Sequence, residues 1–255
     1  MMASHKKIAL VTGGSRGLGR NMALRIAEKG IDVVITYHSR KDEADTVIKA
    51  IEEKGGKAAA LQLDAGNIKS FPDFFQRLKG VLDDTFHTDH FDFLVNNAGT
   101  ALYKPFAETT EEEFDTVMNI HYKGVFFLTQ QALALLNDGG RIINISSGLA
   151  RFAYAGSSAY GSMKSAIDTL TRYLAKELGP RRIGANVVAP GAIETDFGHG
   201  HVRDNPETNK AIADATALGR VGLPEDIGGV VAFLLTEEGR WINGQRIEVS
   251  GGIHL

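Results

Sequence analysis

A tyrosine and a lysine stand four residues apart in Tyr160-Gly161-Ser162-Met163-Lys164, where a segment with helical spacing begins. In a helix, positions i and i+4 share a face, one turn apart. A phenol, with a reference pKa of about 10, exchanges protons poorly at neutral pH unless its phenolate is favoured. A neighbouring ammonium and a cationic nicotinamide would both favour it and draw the pKa toward the working range. Taken alone, the pair also reads as surface decoration. Ser146 and Ser147 close the apolar run Arg141–Ser146, at the end of a strand where a hydroxyl could bind a substrate carbonyl oxygen. Either serine could simply end the strand, and only the spacing to Tyr160 separates them.

A second set of residues suits phosphate. Thr12-Gly13-Gly14-Ser15-Arg16-Gly17-Leu18-Gly19 follows the first apolar run and opens a helical segment. Glycines there let the backbone turn tightly and approach a pyrophosphate, while the helix N-terminus offers free N–H groups. The spacing is G-x-x-x-G-x-G and lacks the Gly-Lys-Ser/Thr ending of an ATP loop. Dinucleotide binding is the better reading. The second apolar run ends at Tyr37-His38-Ser39-Arg40, where an NAD(H) site usually places Asp or Glu against the ribose hydroxyls. Arg16, Ser39 and Arg40, with no carboxylate at the strand end, suit a 2′-phosphate instead and favour NADP(H) over NAD(H). Arg40 could otherwise be a solvated residue at a helix start.

These residues need a frame. Seven short runs rich in β-branched residues recur: Ile8–Thr12, Val33–Tyr37, Ala58–Leu63, Phe91–Asn96, Arg141–Ser146, Ala185–Ala189 and Arg246–Val249. Between them lie helical stretches at Leu18–Lys29, Lys41–Lys54, Lys69–Asp83, Glu111–Leu136, Ser158–Leu178 and Pro224–Leu235. Strands apolar on both faces and separated by helices predict an α/β, doubly wound Rossmann fold: a seven-stranded parallel sheet with helices on both faces. No linker or repeat divides residues 1–255, so one domain is expected. The polar stretch Asp196–Arg220 (196–220) reads equally as a substrate lid or a plain surface loop.

Composition excludes several classes. The 255 residues include no cysteine, which removes disulfides, thiolate catalysis and Cys-based metal sites. With 28 basic against 31 acidic residues the net charge is −3, so neither nucleic acid nor an anionic membrane is an expected partner. No apolar run could span a bilayer, and Met1–Lys7 lacks the apolar core of a secretory signal. A soluble cytoplasmic protein is the expectation. His199-Gly200-His201 and His87-Thr88-Asp89-His90 lack further ligands at zinc spacing and read as solvated loops.

In this order, Lys7 to Gly252 resembles the short-chain dehydrogenase/reductase (SDR) family. The family's glycine turn matches Thr12 to Gly19, and its N-N-A-G signature matches Asn96-Asn97-Ala98-Gly99. Its catalytic Asn, Ser, Tyr and Lys are assigned to Asn119, Ser147, Tyr160 and Lys164, and the family's thirteen-residue step to Tyr160 selects Ser147 over Ser146. Its adenine-contacting acid falls on Asp64, beside Ala65, and its P-G motif on Pro190-Gly191, followed by Ile193 and by Thr195 near the nicotinamide.

The resemblance implies hydride transfer between NADP(H) and a carbonyl or secondary alcohol. Tyr160 would be the proton donor, and Lys164 would lower its pKa and hold the nicotinamide ribose. Ser147 would polarise the carbonyl, and Asn119 would hold a water linking Lys164 to solvent. A ketone or 3-oxoacyl reductase is expected. A sugar, polyol or steroid dehydrogenase using NAD, or a non-catalytic NADP(H) sensor or scaffold on the same fold, are the alternatives. The long helices Glu111–Leu136 and Ser158–Leu178 pair across a two-fold axis in the family, implying a homodimer or homotetramer; their surplus apolar face could instead pack on the sheet.

Three places depart from the pattern or leave substrate choice open. Ser250 stands where many members have Asp before two glycines. Leu136-Asn137-Asp138-Gly139 lacks the basic residues with which carrier-protein reductases dock their acidic partner, although Arg181 and Arg182 could contribute. Arg151, Phe152 and Tyr154 in Gly148–Ser157 suit a ring, an anion, or ordinary packing.

Overall fold

A computed structural model describes residues 6–255; residues 1–5, most of the stretch considered for a secretory signal, lie outside the described residues. Strand side chains alternate between two faces, and in this chain both sets are apolar. Ala9 and Val11 of β1 (Ile8–Val11) enter one core cluster, while Ile8 and Leu10 enter a second. Val33 and Ile35 of β2 (Asp32–Tyr37) oppose Val34 in the same way. A sheet buried on both faces needs two layers of cover, and parallel crossovers supply them.

The remaining strands are β3 (Ala58–Gln62), β4 (Phe91–Asn96), β5 (Leu136–Ile145), β6 (Gly184–Pro190) and β7 (Arg246–Val249). All seven pair in parallel, in the order β3-β2-β1-β4-β5-β6-β7. On one face, α1 (Gly17–Glu28), α2 (Lys41–Glu52) and α9 (Pro224–Leu234) bury Met22, Ile26, Val47, Ile51, Ile227 and Val231. On the other, α3 (Phe71–Val81), α5 (Gly124–Ala132) and α6 (Ser158–Glu177) bury Phe71, Phe74, Leu78, Leu128 and Ala175. This is the doubly wound sheet expected. Strand order reverses between β1 and β4, which opens a crevice beyond their C-terminal ends.

One helix differs in a way that matters for the site. Glu111–Leu136 is not continuous: α4 (Glu111–Met118) gives way to a π-helical turn over Asn119–Lys123, and α5 ends at Ala132. Leu136 already opens β5. Thr110 and Glu113 form a capping box that starts α4. At Gly124 the helix presses on the loop after β3, so closely that a Cβ would strike the Ala65 carbonyl oxygen. A π turn admits one extra residue and rephases the helix on either side of this contact. A second π turn, Leu82–Phe86, ends the Lys69–Asp83 segment after α3, with His87 left-handed at φ 58°.

Asp196–Arg220 carries secondary structure of its own. It holds α7 (His201–Asp204) and α8 (Pro206–Asp214), and Asn205 caps α8 by accepting from the Thr208 N–H at 3.0 Å. Arg203 ties Asp196 to Asp204 at 2.5 and 2.7 Å. Among the described residues no helix is long and apolar enough to cross a membrane.

Candidate active site

β5 delivers the two serines to different surroundings. Ser146 is 3% exposed and donates its hydroxyl to the Lys164 carbonyl at 3.2 Å, holding strand to helix. Ser147, one residue on, turns to the opposite side and is only half-buried. Its Oγ accepts from the Leu149 N–H at 3.2 Å, and its hydroxyl also meets the Tyr160 phenol. The Arg246 guanidinium on β7 holds the Ser147 carbonyl at 3.0 Å and pairs with Asp168 of α6 at 2.9 Å. Sequence reasoning missed Arg246 and Asp168, because their partners lie far away in the chain.

α6 brings Tyr160 and Lys164 to the same place. Lys164 is 5% exposed, donates to the Ile145 carbonyl at 2.7 Å, and sits 5.5 Å from the Tyr160 ring centroid. Desolvation lowers its pKa to about 8, against the opposing pull of the Asp168 carboxylate. Tyr160 moves the other way from the expectation. Desolvation pushes its phenol up, Tyr103 adds to the rise, and a hydrogen bond with Ser147 opposes it. Lys164 lies over the ring, but the direction of the shift is set by loss of water around the phenol. The phenol is therefore held protonated, which is the form that can donate.

Asn119 is not brought to this cluster. Two residues from the buried positions Val117 and His121, it faces away and lines a shallow hollow with Thr110, Glu112, Asp115 and Thr116. His121 stands against Tyr160 instead, with ring centroids 5.0 Å apart and planes at 84°. It is 1% exposed. Val117, His121, Gly124 and Leu128 recur at core spacing, with Asn119 out of phase, which marks His121 as inward-facing but not what it meets.

The glycine turn meets the crevice from the other side. Gly17 has φ +54°, and a Cβ on Gly19 would be driven into the Gly13 carbonyl oxygen. Asn97 donates to the Thr12 and Gly13 carbonyls at 2.9 and 3.1 Å, while the Ala98 N–H donates to Thr12 Oγ1 at 3.0 Å. Arg16 precedes α1 in extended conformation, and no side chain caps the helix, so the first-turn N–H groups remain free for an anion. Ser15 is buried in the turn, and Leu18 packs against the core. Thr195, following Ile193 and the Pro190-Gly191 end of β6, approaches within 3.6 Å of where a Gly17 Cβ would lie. This cradle fits a dinucleotide.

At its outer end, Tyr37 is half-buried, while His38, Ser39, Arg40 and Asp64 are exposed. The structure does bring one carboxylate close: Glu43, one turn into α2, pairs with Arg40 at 3.3 Å. Arg16 approaches Asp196 at 3.8 Å. Asp64 accepts from the Gly66 N–H at 2.9 Å and shapes the loop that carries Ala65.

Two other arginines are engaged within the fold. Arg151 binds Glu248 at 2.8 Å and the Ile253 and His254 carbonyls at 2.7 and 2.9 Å, so it pins the C-terminal segment. Arg181 holds Asp138 and the Leu133 carbonyl at 2.7 and 2.9 Å. Around the mouth stand Tyr103, Tyr154 and Phe197, 53%, 64% and 41% exposed, with Phe197 6.0 Å from the Tyr160 ring. Among the described residues no group of three or more His, Asp or Glu side chains could hold a metal ion.

Comparison with known proteins agrees with this geometry. A family model described as enoyl-(acyl carrier protein) reductase matches residues 13–254. The hydroxynaphthalene reductase-like protein Arp2 of Metarhizium brunneum is 37% identical over 257 residues, covering 96% of this chain and 94% of its own. The short chain dehydrogenase/reductase nsrJ of Aspergillus novofumigatus is 36% identical over 256 residues, covering 96% of this chain and 95% of its own. The crystal structure of the angucycline C-6 ketoreductase LanV with bound NADP superposes with a TM-score of 0.92 at 39% identity, over 96% of this chain and 95% of that one. The chain belongs to the short-chain dehydrogenase/reductase family.

Proposed function

We propose that the protein is an NADP(H)-dependent reductase that converts a ketone on a flat, aromatic-ring substrate into a secondary alcohol. One observation carries this reading: Ser147, Tyr160 and Lys164 converge at the C-terminal ends of the strands, beside the glycine turn. The cradle from Gly13 to Gly19 would hold the pyrophosphate. Arg16 and the segment Tyr37 to Arg40 would hold the phosphorylated ribose, with Asp64 and Ala65 at the adenine. Asn97 to Gly99, Lys164, Pro190-Gly191, Ile193 and Thr195 would line the nicotinamide half. When bound, the nicotinamide supplies the hydride.

The chain does the rest by placement. Ser147, beside the phenol, turns its O–H to the carbonyl oxygen and so favours charge developing there. Tyr160, kept protonated by desolvation, delivers the phenolic proton to that oxygen. Lys164 places an ammonium beside the resulting phenolate. Tyr103, Tyr154 and Phe197 offer ring faces at the mouth, which suits a planar substrate. The naphthalene and angucycline names of the relatives agree with that choice. With Arg181 engaged internally, docking of an acidic carrier falls to Arg182, and 3-oxoacyl thioesters are the second substrate class. One domain, a lid over 196–220, cytoplasmic residence and a homodimer or homotetramer complete the reading. Phe114, Phe126 and Tyr173 stay 40%, 37% and 62% exposed on α4, α5 and α6, as paired helices require.

The test is cofactor oxidation by purified protein, with NADPH and NADH side by side. The panel holds a hydroxylated naphthalenone, an acetoacetyl thioester, a keto sugar and a ketosteroid. Turnover of the naphthalenone with NADPH well above NADH is expected. Preference for NADH would overturn the phosphate site, and a preference for the thioester would overturn the aromatic substrate. Arg16→Ala and Arg40→Ala should each weaken NADPH binding about tenfold while sparing NADH. Tyr160→Phe should lower kcat by about 10²- to 10⁴-fold with NADPH affinity retained; near-normal turnover would refute Tyr160 as the acid.

A further inference from the structure

Arg246 on β7 spreads its guanidinium over three partners. Nε donates to the Asp168 carboxylate of α6 at 2.9 Å, Nη1 to Glu248 at 2.8 Å, and Nη2 to the Ser147 carbonyl at 3.0 Å. Glu248 is shared with Arg151 at 2.8 Å, so charges alternate along Asp168, Arg246, Glu248 and Arg151. The Arg246 side chain is 23% exposed and that of Asp168 12%, which leaves little water to screen their pair. A planar fork with all three nitrogens engaged fixes direction as well as charge.

Each end of the pair reaches a residue of the site. The Ser146 N–H still donates to the Val188 carbonyl at 2.8 Å, but β5 has ended at Ile145, and Ser147 lies beyond the strand ladder. The Ser147 carbonyl takes the Ala150 N–H of its own turn at 3.1 Å, and Arg246 ties that turn to β7. Asp168 stands one turn on from Lys164, on the same face of α6. Its Oδ2 takes Arg246, while Oδ1 is fully buried and has no hydrogen-bond partner. The carboxylate thus meets two cations, Arg246 by contact and the Lys164 ammonium through space.

Other ionisable groups on the elements around α6 are neutral, engaged elsewhere or turned to solvent. Tyr160 and the His121 of the π turn are neutral neighbours of Lys164. β6 carries no charged side chain, Glu113 of α4 is paired with Lys104, and Glu111, Glu112 and Asp115 are exposed. Arg181, past the far end of α6, is held by Asp138.

We propose that the Asp168–Arg246 pair positions the site from behind: Arg246 fixes the main chain that aims the Ser147 hydroxyl, and Asp168 sets a carboxylate against the Lys164 ammonium. The proposal rests on the reductase reading above. The hydroxyl sits on a short side chain, so a shift of the held peptide carries it along, and misplacement by about 1 Å costs catalysis up to about 10²-fold. Both residues act through Ser147 and Lys164 and are positioning residues.

Three variants separate the two ends. Arg246→Lys keeps the charge, but one ammonium cannot hold Asp168, Glu248 and the Ser147 carbonyl in a single plane. Its kcat should fall at least about fivefold, with KM and NADPH affinity within about twofold of the wild type. A smaller loss of kcat, or an equal loss of NADPH affinity, overturns the hold on Ser147. Asp168→Asn removes the carboxylate charge and keeps the side chain's size. Arg246→Met leaves that charge unbalanced beneath Lys164.

A second measurement needs no turnover. The ¹³Cε signal of Lys164 is followed in cofactor-free protein from about pH 6 to about pH 11 and assigned by its loss in Lys164→Met. Its midpoint should move at least about 0.5 lower in Asp168→Asn, at least about 0.5 higher in Arg246→Met, and stay in place in Arg246→Lys. Midpoints that move the same way in the first two, or by less, overturn the proposal, because a merely structural pair would not shift them in opposite directions. Should Arg246→Met fail to fold, Asp168→Asn and Arg246→Lys decide, the first by its fall and the second by its constancy. If the wild type reduces nothing in the panel, the reductase reading fails, and the Lys164 midpoints still decide whether the pair acts on the site.

Discussion

Lys164 carries an ammonium into a place that water barely reaches. Folding lowers its pKa from 10.5 to about 8, so the unfolded chain binds this proton more tightly than the folded one. The sign follows directly: the burial cost is fully present below pH 8 and is relieved as pH rises from about 8 toward 10.5. Lys164→Met should therefore abolish turnover yet raise the thermal midpoint at pH 7. The gain is on the order of 1–3 kcal/mol, reduced by loss of the Ile145 hydrogen bond, and it should shrink by pH 9.5. A midpoint that drops at pH 7 would contradict the desolvation argument. In the wild type, kcat/KM for ketone reduction should fall as pH rises through about 8, because the charged lysine is the working form and kcat/KM reports the free enzyme. A flat profile from pH 7 to about 9 would separate Lys164 from the chemistry. Tyr160 and Lys164 were legible as a pair because spacing along one short stretch sets them, and Ser147 was separated from Ser146 only by the step that the family resemblance implies. The upward shift of Tyr160 was not legible, because it arises from what surrounds the phenol.

At the scale of elements, the break between α4 and α5 decides which side chain reaches the site. Gly124 is the pivot, since a side chain there meets the Ala65 carbonyl. Gly124→Ala should lower the thermal midpoint by an amount matching about 1–3 kcal/mol of overpacking, and should weaken cofactor binding through the displaced Ala65 loop. Gly229→Ala is the matched control. It lies in the interior of α9, exposed, with nothing within 4 Å of the added methyl. There alanine should raise the midpoint by about 2–4 °C through helix propensity alone. Equal effects at the two glycines would refute the steric reading. The same break sets His121, two residues on from Asn119, against Tyr160. A hydrophobic pattern continuing from Val117 to Leu128 reads as one helix, and an extra residue in a π turn leaves no local mark.

Over the whole molecule, apolar surface remains outside. Trp241 is 94% exposed, Leu218 72% and Tyr173 62%, and β7 is only half-covered at the sheet edge. An edge strand beside exposed aromatics invites a second copy. Light scattering on dilute protein should give a dimer or tetramer mass; a monomer of 27.5 kDa would refute the oligomer. With a net charge of −3, affinity for the subunit partner should depend weakly on salt.

By itself the sequence determined the seven strands, their parallel winding, the glycine cradle and the tyrosine–lysine pair. Each of these depends on periodicity or spacing within a few turns of chain, where neighbours in sequence are neighbours in space. Only the tertiary structure decided that His121 rather than Asn119 meets Tyr160, that Ser146 turns inward to Lys164, and that Arg151 and Arg181 are held inside the fold. Those outcomes depend on contacts between distant segments, such as Gly124 against Ala65 and Arg151 against Glu248. A side chain's partner there follows from how whole elements pack, and no stretch of sequence records that locally.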